Sequence, residues 1–302
     1  PALDKTAIID KLNIGGLNRV KTFRIDPGGK GINVAKVLKN FSEEVKATGL
    51  IAGNQGKLLL EYLSLAGIKS SFHEVVGETR TNLKIYEEHS GTITEINDPG
   101  FTVTENDLLC FERKLSELLG SASFLVLSGS LPIGATHNIY NQFIKLAKSK
   151  GLRTMLDADG MALQNGIKAV PYAIKPNIYE LELLTGKKMS SLEHIVDAAR
   201  SLTKKGIEIV AVSMGEDGAV VCNNKDSYHV SLHPIEAKSP VGAGDSMVAA
   251  LVFAFLKAYS LDEAAKLAVA AGTASAAKPG TELCTLEEIS DYYRRVKINK
   301  LN

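Results

Sequence analysis

The chain has 302 residues, 45% of them hydrophobic and 23% charged, with 35 basic and 34 acidic side chains. This length and composition are typical of an ordinary folded protein and exclude a disordered or fibrous chain. A formal net charge of +1 and an aromatic content of 6% argue against a nucleic-acid-binding module and against general attraction to an anionic membrane. Any anion that the protein binds must therefore be held by a local cluster of charge.

The sequence predicts a cytoplasmic protein. It shows no secretory signal, and its longest apolar run, 247–256, is about half the length that a membrane span needs. The three cysteines lack the spacing of a zinc site or a disulfide framework. The six histidines lack metal-ligand spacing as well, and we expect them at the surface or in hairpins.

The first hundred residues predict a small β-sheet beside a larger unit. A helix over 33–41 and a strand over 45–51 come first. Short strands with alternating polar residues follow at 71–76, 81–87 and 92–96. They fit an antiparallel sheet with one face toward water, which could act as a lid.

From about residue 120 onward, apolar strands alternate with helical stripes, which predicts a mostly parallel sheet with helices on both faces. The predicted strands are 123–127, 152–156, 173–174 and 207–212, with a hairpin of 218–222 and 227–232, and the predicted helices are 138–150, 192–204, 246–258 and 261–277.

The strongest motif is a pair of glycines followed by an acid, Gly242-Ala243-Gly244-Asp245, which opens a long apolar helix. Small residues let backbone N–H groups converge at the positive end of a helix, which favours an anion such as a phosphoryl group. An acid beside an anion site is unfavourable unless it has a role, and accepting a proton from an attacking hydroxyl is such a role. A plain helix start, where aspartate is common, is the alternative.

A second glycine-rich segment, Gly28-Gly29-Lys30-Gly31-Ile32-Asn33, also leads into a helix. The glycines allow close approach of the backbone, Lys30 offers a point charge to a phosphate, and Asn33 offers hydrogen bonds to sugar hydroxyls. The alternative is a turn with a solvated lysine. Neither a Walker loop nor a dinucleotide fingerprint occurs in the sequence.

The segment Lys175-Pro-Asn-Ile-Tyr-Glu follows a short strand and brings Asn177 and Glu180 to one face of a helix start. Glu180 could hold a hydrated Mg²⁺ through water, since Mg²⁺ usually keeps several waters. Taken alone, the pair fits better a capping box that closes the helix end.

Three smaller features complete the set. The segment 213–218 predicts a turn between two strands, and 128–132 ends a buried strand, where open sheets place ligands. Arg80 stands at the edge of the predicted lid, either in a site or as a solvated charge.

Together these motifs resemble the PfkB branch of the ribokinase-like sugar kinases, and the resemblance covers almost the whole chain in order. It implies one kinase domain over 1–302 with a three-layer α/β/α core, a mostly parallel sheet, and a β-sheet lid made of segments near 5–25 and 71–97. A lid with an open edge could pair with its twin, so a homodimer is also expected.

The resemblance also implies roles for single residues. Asp245 would be the catalytic base, and the backbone of Gly242, Ala243 and Gly244 would form the anion hole. The residues implied for the sugar phosphate are Asp4, Gly29, Lys30, Asn33 and Arg80, with Lys30 and Arg80 on its existing phosphate. Those implied for the nucleotide are Lys175, Asn177, Ser213, Gly215, Gly218 and Val241, with Asn177 and Glu180 toward the metal.

The implied reaction is transfer of a phosphoryl group from ATP, with Mg²⁺, to a ketohexose phosphate. The Gly-Gly-Lys-Gly segment is most similar to that of family members acting on fructose 1-phosphate. Kinases of tagatose 6-phosphate are the near alternative, a nucleoside or ribose kinase fits Lys30 poorly, and a catalytically silent nucleotide- or sugar-phosphate-binding regulator is the alternative of another class. Family members have a further strand ahead of the segment that begins at Pro1, so we expect the natural chain to be longer.

Overall fold

The apolar runs and helical stripes form thirteen strands and ten α-helices in the part of the chain, 1–232 and 237–301, that this computed structural model describes. The strands are β1 (Ala2–Ile9), β2 (Thr22–Gly28), β3 (Lys46–Ala52), β4 (Lys69–Val75), β5 (Thr81–Glu87), β6 (Thr92–Asn97), β7 (Phe124–Ser128), β8 (Arg153–Asp157), β9 (Ala173–Ile174), β10 (Ile209–Ser213), β11 (Ala219–Cys222), β12 (Ser227–Ser231) and β13 (Lys297–Leu301). The helices are α1 (Lys30–Asn40), α2 (Gly53–Leu65), α3 (Glu105–Leu119), α4 (Ile139–Ser149), α5 (Gly160–Gly166), α6 (Ile178–Thr185), α7 (Leu192–Thr203), α8 (Ala243–Leu256), α9 (Leu261–Ala276) and α10 (Leu286–Arg295).

The largest sheet has seven strands in the order β13-β12-β11-β10-β9-β8-β7. The four strands from β7 to β10 run parallel, and β11, β12 and β13 add antiparallel pairs at the other edge. Helices connect these parallel strands, because a parallel pair needs a crossover connection between its strands. The predicted hairpin of β11 and β12 is confirmed.

Helices cover both faces of this sheet, and the alternation of side chains in β10 shows how. Ile209 and Ala211 pack in one apolar core with α8 and α9, whereas Val210 and Val212 pack in a second core with α4 and α7. Successive residues of a strand point to opposite faces, so a strand buried on both sides must be apolar throughout. The predicted three-layer α/β/α core is confirmed.

The lid differs from the prediction in its strands and their direction. It is a mixed sheet in the order β2-β1-β5-β6, in which β1 and β5 run parallel. The strand predicted at 71–76 is β4, which pairs in parallel with β3 outside the lid, so its assignment to the lid was wrong. Short polar strands have similar patterns in either setting, and only the long-range pairing separates them.

Two helices converge on the ends of the parallel strands. The helix α8 is buried from Asp245 to Phe255 and is apolar on all sides, as expected of a helix inside a core. It packs against α1, which starts at Lys30. This packing brings the two glycine-rich segments of the sequence together at one end of the sheet.

No helix in the described ranges is long and apolar enough to cross a membrane. Of the six histidines, five are exposed or half-buried, in line with the prediction, and His233 lies outside the described residues.

Candidate active site

Asp245 lies in the first turn of α8, directly after the glycine pair. Gly242 caps the helix with φ of +78°, and a Cβ there would lie 2.4 Å from Cδ2 of Leu283, so only glycine fits this turn. The Ala243 N–H donates to the Pro240 carbonyl at a long 3.3 Å. The amides of Gly244 and Asp245 lie in the first turn of α8, at the positive end of the helix dipole.

The Asp245 carboxylate is buried and bound to the other glycine-rich segment. The Asn33 side chain, 212 positions away in sequence, donates from Nδ2 to its Oδ2 at 2.7 Å. Burial raises the pKa of Asp245 to about 6, and the charge of Asp157 adds to the rise, while the Asn33 hydrogen bond and the charges of Lys175 and Lys30 oppose it. A carboxylate tuned in this way is a stronger base than a solvated one and is ionised at neutral pH.

Lys30 begins α1 behind Gly29, whose φ of +97° again suits glycine. Its Nζ donates to Oδ1 of Asp157 at 3.4 Å. Burial works against its charge, but the carboxylates of Asp157, Glu180 and Asp245 raise the pKa of Lys30. The lysine is therefore charged and drawn to the same carboxylates that surround the end of α8.

Lys175 comes to this cleft from the loop after β9 and is buried. Its Nζ lies 3.4 Å from the Asp157 carboxylate and 3.4 Å from the point where a Cβ on Gly244 would stand. The ammonium therefore lies beside the glycine loop. The sequence analysis missed Asp157. It is the last residue of β8 and belongs to no motif, and only the order of the strands brings it next to the two lysines.

Asp4, the residue implied for sugar hydroxyls, lies in β1, an inner strand of the lid sheet, and is buried. It accepts hydrogen bonds from Asn82 Nδ2 at 2.9 Å and from Lys84 Nζ at 3.0 Å. A Cβ on Gly28 would lie 2.4 Å from the Asp4 carboxyl carbon, so this glycine gives the carboxylate its space. Asn82 and Lys84 were also missed, because only the register of β1 with β5 places them beside Asp4.

Arg80 reaches from the start of β5 to the loop that follows β7, where its Nη1 donates to Ser130 Oγ at 3.1 Å. Arg80, Lys30 and the loop 128–132 line part of a cavity of about 840 Å³, whose remaining lining is mostly apolar residues of β3, β7, α3 and α4 and does not include Asp245 or Lys175. The two cations implied for a sugar's existing phosphate thus border a common space. The Tyr140 hydroxyl fixes the loop by sharing its one proton between the carbonyls of Ser128 and Gly129.

Asn177 and Glu180 form the capping box of α6. The Glu180 N–H donates to Asn177 Oδ1 at 2.8 Å, and the Asn177 N–H donates to Glu180 Oε2 at 2.9 Å. The structural alternative for this pair is therefore confirmed, and it leaves room for a second role. Burial raises the pKa of Glu180, and the carboxylate lies near enough to Lys30 and Lys175 to interact with their charges.

The remaining nucleotide candidates line the neighbouring strand ends. Ser213 forms a bridge with Asn177, and its N–H donates to the Pro176 carbonyl at 3.0 Å. Gly215 and Gly218 both have positive φ, and a Cβ on Gly218 would lie 2.0 Å from the Val230 carbonyl oxygen. Val241 precedes the glycine pair, and its N–H donates to Ser239 Oγ.

The described residues contain no cluster of three or more histidine, cysteine, aspartate or glutamate side chains that could hold a metal ion directly. Glu180 still fits a hydrated Mg²⁺ carried by a nucleotide, since its buried carboxylate uses one oxygen in the capping box. Mg²⁺ bound in this way needs one or two carboxylates, several waters and the phosphates of its nucleotide.

Comparisons with known proteins agree with this geometry. The family model described as "pfkB family carbohydrate kinase" matches residues 4–289. A 1-phosphofructokinase of Bacillus subtilis is 34% identical over 301 residues, which cover 100% of this chain and 97% of the relative.

Two solved structures share the fold closely. Phosphofructokinase-2 of Escherichia coli, solved in complex with potassium, has a TM-score of 0.92 at 30% identity and covers 97% of this chain and 95% of its own. A protein from Thermotoga maritima, titled a possible 1-phosphofructokinase, has a TM-score of 0.92 at 28% identity and covers 100% of this chain and 97% of its own.

Proposed function

The chain belongs to the pfkB family of carbohydrate kinases, and from this premise we propose that it transfers the γ-phosphoryl group of ATP to the 6-hydroxyl of fructose 1-phosphate. The observation that carries the proposal is the hydrogen bond between Asn33 and Asp245. It joins a segment suited to a sugar phosphate to a segment suited to a nucleotide in one cleft. The relatives named 1-phosphofructokinase support the choice of sugar.

In this mechanism Asp245 accepts the proton of the attacking hydroxyl. The hydroxyl lies between the carboxylate and the γ-phosphoryl group, and a loose transition state demands little of the base until late. A pKa of about 6 keeps Asp245 ionised at neutral pH yet makes it a better acceptor than a solvated aspartate. The attacking hydroxyl therefore passes its proton to the Asp245 carboxylate as its oxygen bonds to phosphorus.

The backbone of 242–244 and Lys175 meet the charge of the transferring group. Amides fixed at a helix start need no rearrangement during the reaction, and a buried cation acts strongly where water is excluded. Asn177, Glu180, Ser213, Gly215, Gly218 and Val241 are assigned to the nucleotide. Asn177 and Glu180 would hold the Mg²⁺ of the nucleotide through water, and the ion would supply positive charge against the polyphosphate.

The sugar phosphate is assigned to the lid side of the cleft. Asp4, Gly29 and Asn33 face its hydroxyls, and Lys30 and Arg80 face its ester phosphate. Charge-assisted contacts to that phosphate favour sugar phosphates over free sugars. The lid excludes water, which would otherwise compete with the sugar as acceptor.

The lid also suggests a second copy of the chain as a partner. By the strand register, Phe23, Leu83, Ile85 and Ile96 share one face of the lid sheet. Phe23 is 52% exposed and Ile96 is 56% exposed. The lid sheet of a second copy of the chain could cover this exposed apolar face, so we propose a homodimer through the lid.

A coupled assay of ADP release tests the proposed activity. We expect turnover with fructose 1-phosphate to exceed turnover with tagatose 6-phosphate, fructose 6-phosphate and free fructose, each compared by kcat/KM at saturating MgATP. ³¹P spectra of the product should show a second phosphoester on the sugar. Preference for tagatose 6-phosphate would overturn the choice of sugar, and ATP binding without release of ADP on any sugar would favour a silent regulator.

A further inference from the structure

One buried carboxylate touches both cationic side chains of the cleft. Asp157 is 1% exposed and closes β8, and a single oxygen, Oδ1, lies 3.4 Å from Lys30 Nζ and 3.4 Å from Lys175 Nζ. Its other oxygen, Oδ2, is buried with no hydrogen-bond partner among the described residues. None of the motifs in the sequence assigns a role to this aspartate.

A carboxylate in this position is costly as a mere element of packing. Removing an ionised group from water is strongly unfavourable unless other groups compensate its charge, and among the described residues Asp157 forms ion pairs with the two lysines alone. Apolar residues would fill the end of β8 at lower cost. The arrangement therefore indicates that the function of this carboxylate is to hold the two lysines.

The two lysines reach Asp157 from separate elements, and their assigned tasks differ. Lys30 starts α1 and faces the ester phosphate of the sugar, whereas Lys175 leaves the loop after β9 and lies beside Gly244. A free lysine side chain loses rotamer entropy when binding holds it in one conformation. A common anchor removes part of that loss for both side chains before either substrate arrives.

We propose that Asp157 is a positioning residue that fixes Lys30 toward the sugar phosphate and Lys175 toward the transferring phosphoryl group through one shared oxygen. The proposal rests on the proposed function. Under this proposal Lys30, which holds the sugar phosphate, and Lys175, which meets the transferred phosphoryl group, are held by the same carboxylate. Loss of Asp157 then affects both substrate ends through the two lysines that its Oδ1 holds.

The test is the steady-state kinetics of Asp157→Asn over a range of pH. We expect KM for fructose 1-phosphate to rise about tenfold and kcat to fall about tenfold, the size of one lost hydrogen bond to a charged group for each lysine. In a Lys30→Ala background, Asp157→Asn should leave KM for the sugar phosphate unchanged, because Lys30 carries that effect. An additive increase in KM would overturn the assignment to Lys30.

The pH profile separates positioning from a loss of packing. Asp245 is faced by Asn33 and Lys30 from α1, by Lys175 from the loop after β9, and by Asp157 from β8. Removing the negative charge of Asp157 lowers the pKa of Asp245, so the acid limb of kcat should move to lower pH in Asp157→Asn. Asp157→Glu keeps the charge, so its acid limb should stay in place while its KM still rises.

Asp159→Asn is the matched control. It removes an exposed carboxylate two positions further along, and we expect wild-type kcat, KM and pH profile. If Asp157→Asn matches this control while the wild-type chain is an active kinase, the positioning role is wrong. A wild-type chain without kinase activity on any sugar phosphate would instead contradict the proposed function. If Asp157→Asn does not fold, the KM and the acid limb of Asp157→Glu decide.

Discussion

At the scale of single residues, Asp245 combines a catalytic role with a cost to the fold. Its pKa is raised from 3.8 to about 6, so the unfolded chain loses the proton more readily than the folded one. The free energy of unfolding therefore decreases as pH rises from about 4 to about 6, and the loss is complete above that range. Buried carboxylates with a shifted pKa that lower the stability of the fold are characteristic of active sites.

Asp245→Asn tests both consequences at once. We expect kcat at pH 8 to fall about a hundredfold or more, because the general base is lost, with little change in KM. The same variant should have a higher Tm than the wild type at pH 8, because no charge is buried. That gain should shrink as pH falls below 6, where the wild-type carboxyl is protonated. Steady-state kinetics and thermal unfolding measure the two effects.

Asp262→Asn provides the comparison, since Asp262 lies in the first turn of a different helix, α9. It should leave kcat unchanged and give no rise in Tm at pH 8. A near-wild-type kcat for Asp245→Asn would remove this residue from its role as base.

At the scale of elements, the lid sheet is where local pattern and long-range pairing diverge. The strands β5 and β6 were predicted within one residue of their ends. The parallel pairing of β1 with β5 depends on residues more than 70 positions apart. No local signal specifies such a pairing, which explains why β4 was assigned to the wrong sheet.

Ile96→Lys tests the lid as a dimer surface. A lysine on the exposed apolar face would place two ammonium groups in the shared interface, so we expect the dimer to dissociate into monomers. Sedimentation or light scattering measures the mass. Leu65→Lys, on an equally apolar but unrelated exposed site of α2, should remain dimeric. A monomeric wild-type chain, or an Ile96→Lys variant that stays dimeric, would refute this surface.

At the scale of the whole molecule, the sequence predicted the alternation of strands and helices in the core. It also predicted that each of the two glycine-rich segments leads into a helix. The helix at 192–203, the helix at 261–276 and the hairpin at 219–231 follow their predicted positions closely, because apolar periodicity is strong there. The helices α2, α3, α5 and α10 were not predicted, although α3 and α10 each begin with a capping box.

The meeting of distant groups was predictable only in part. The resemblance placed Asn33 and Asp245 in one site, and the structure joins them by a hydrogen bond. Asp157, Asn82 and Lys84 could not be found in the same way. Each is positioned by strand order and register, which depend on contacts far apart in sequence rather than on local pattern.

The most direct test of the central claim is a crystal structure with fructose 1-phosphate and a non-hydrolysable ATP analogue bound together. Our account predicts the 6-hydroxyl within hydrogen-bond distance of an Asp245 oxygen, with the terminal phosphate of the analogue beyond it, beside Gly244 and Lys175. The ester phosphate should contact Lys30 and Arg80. Sugar phosphate and nucleotide in separate cavities, with Asp245 next to neither reacting group, would contradict it.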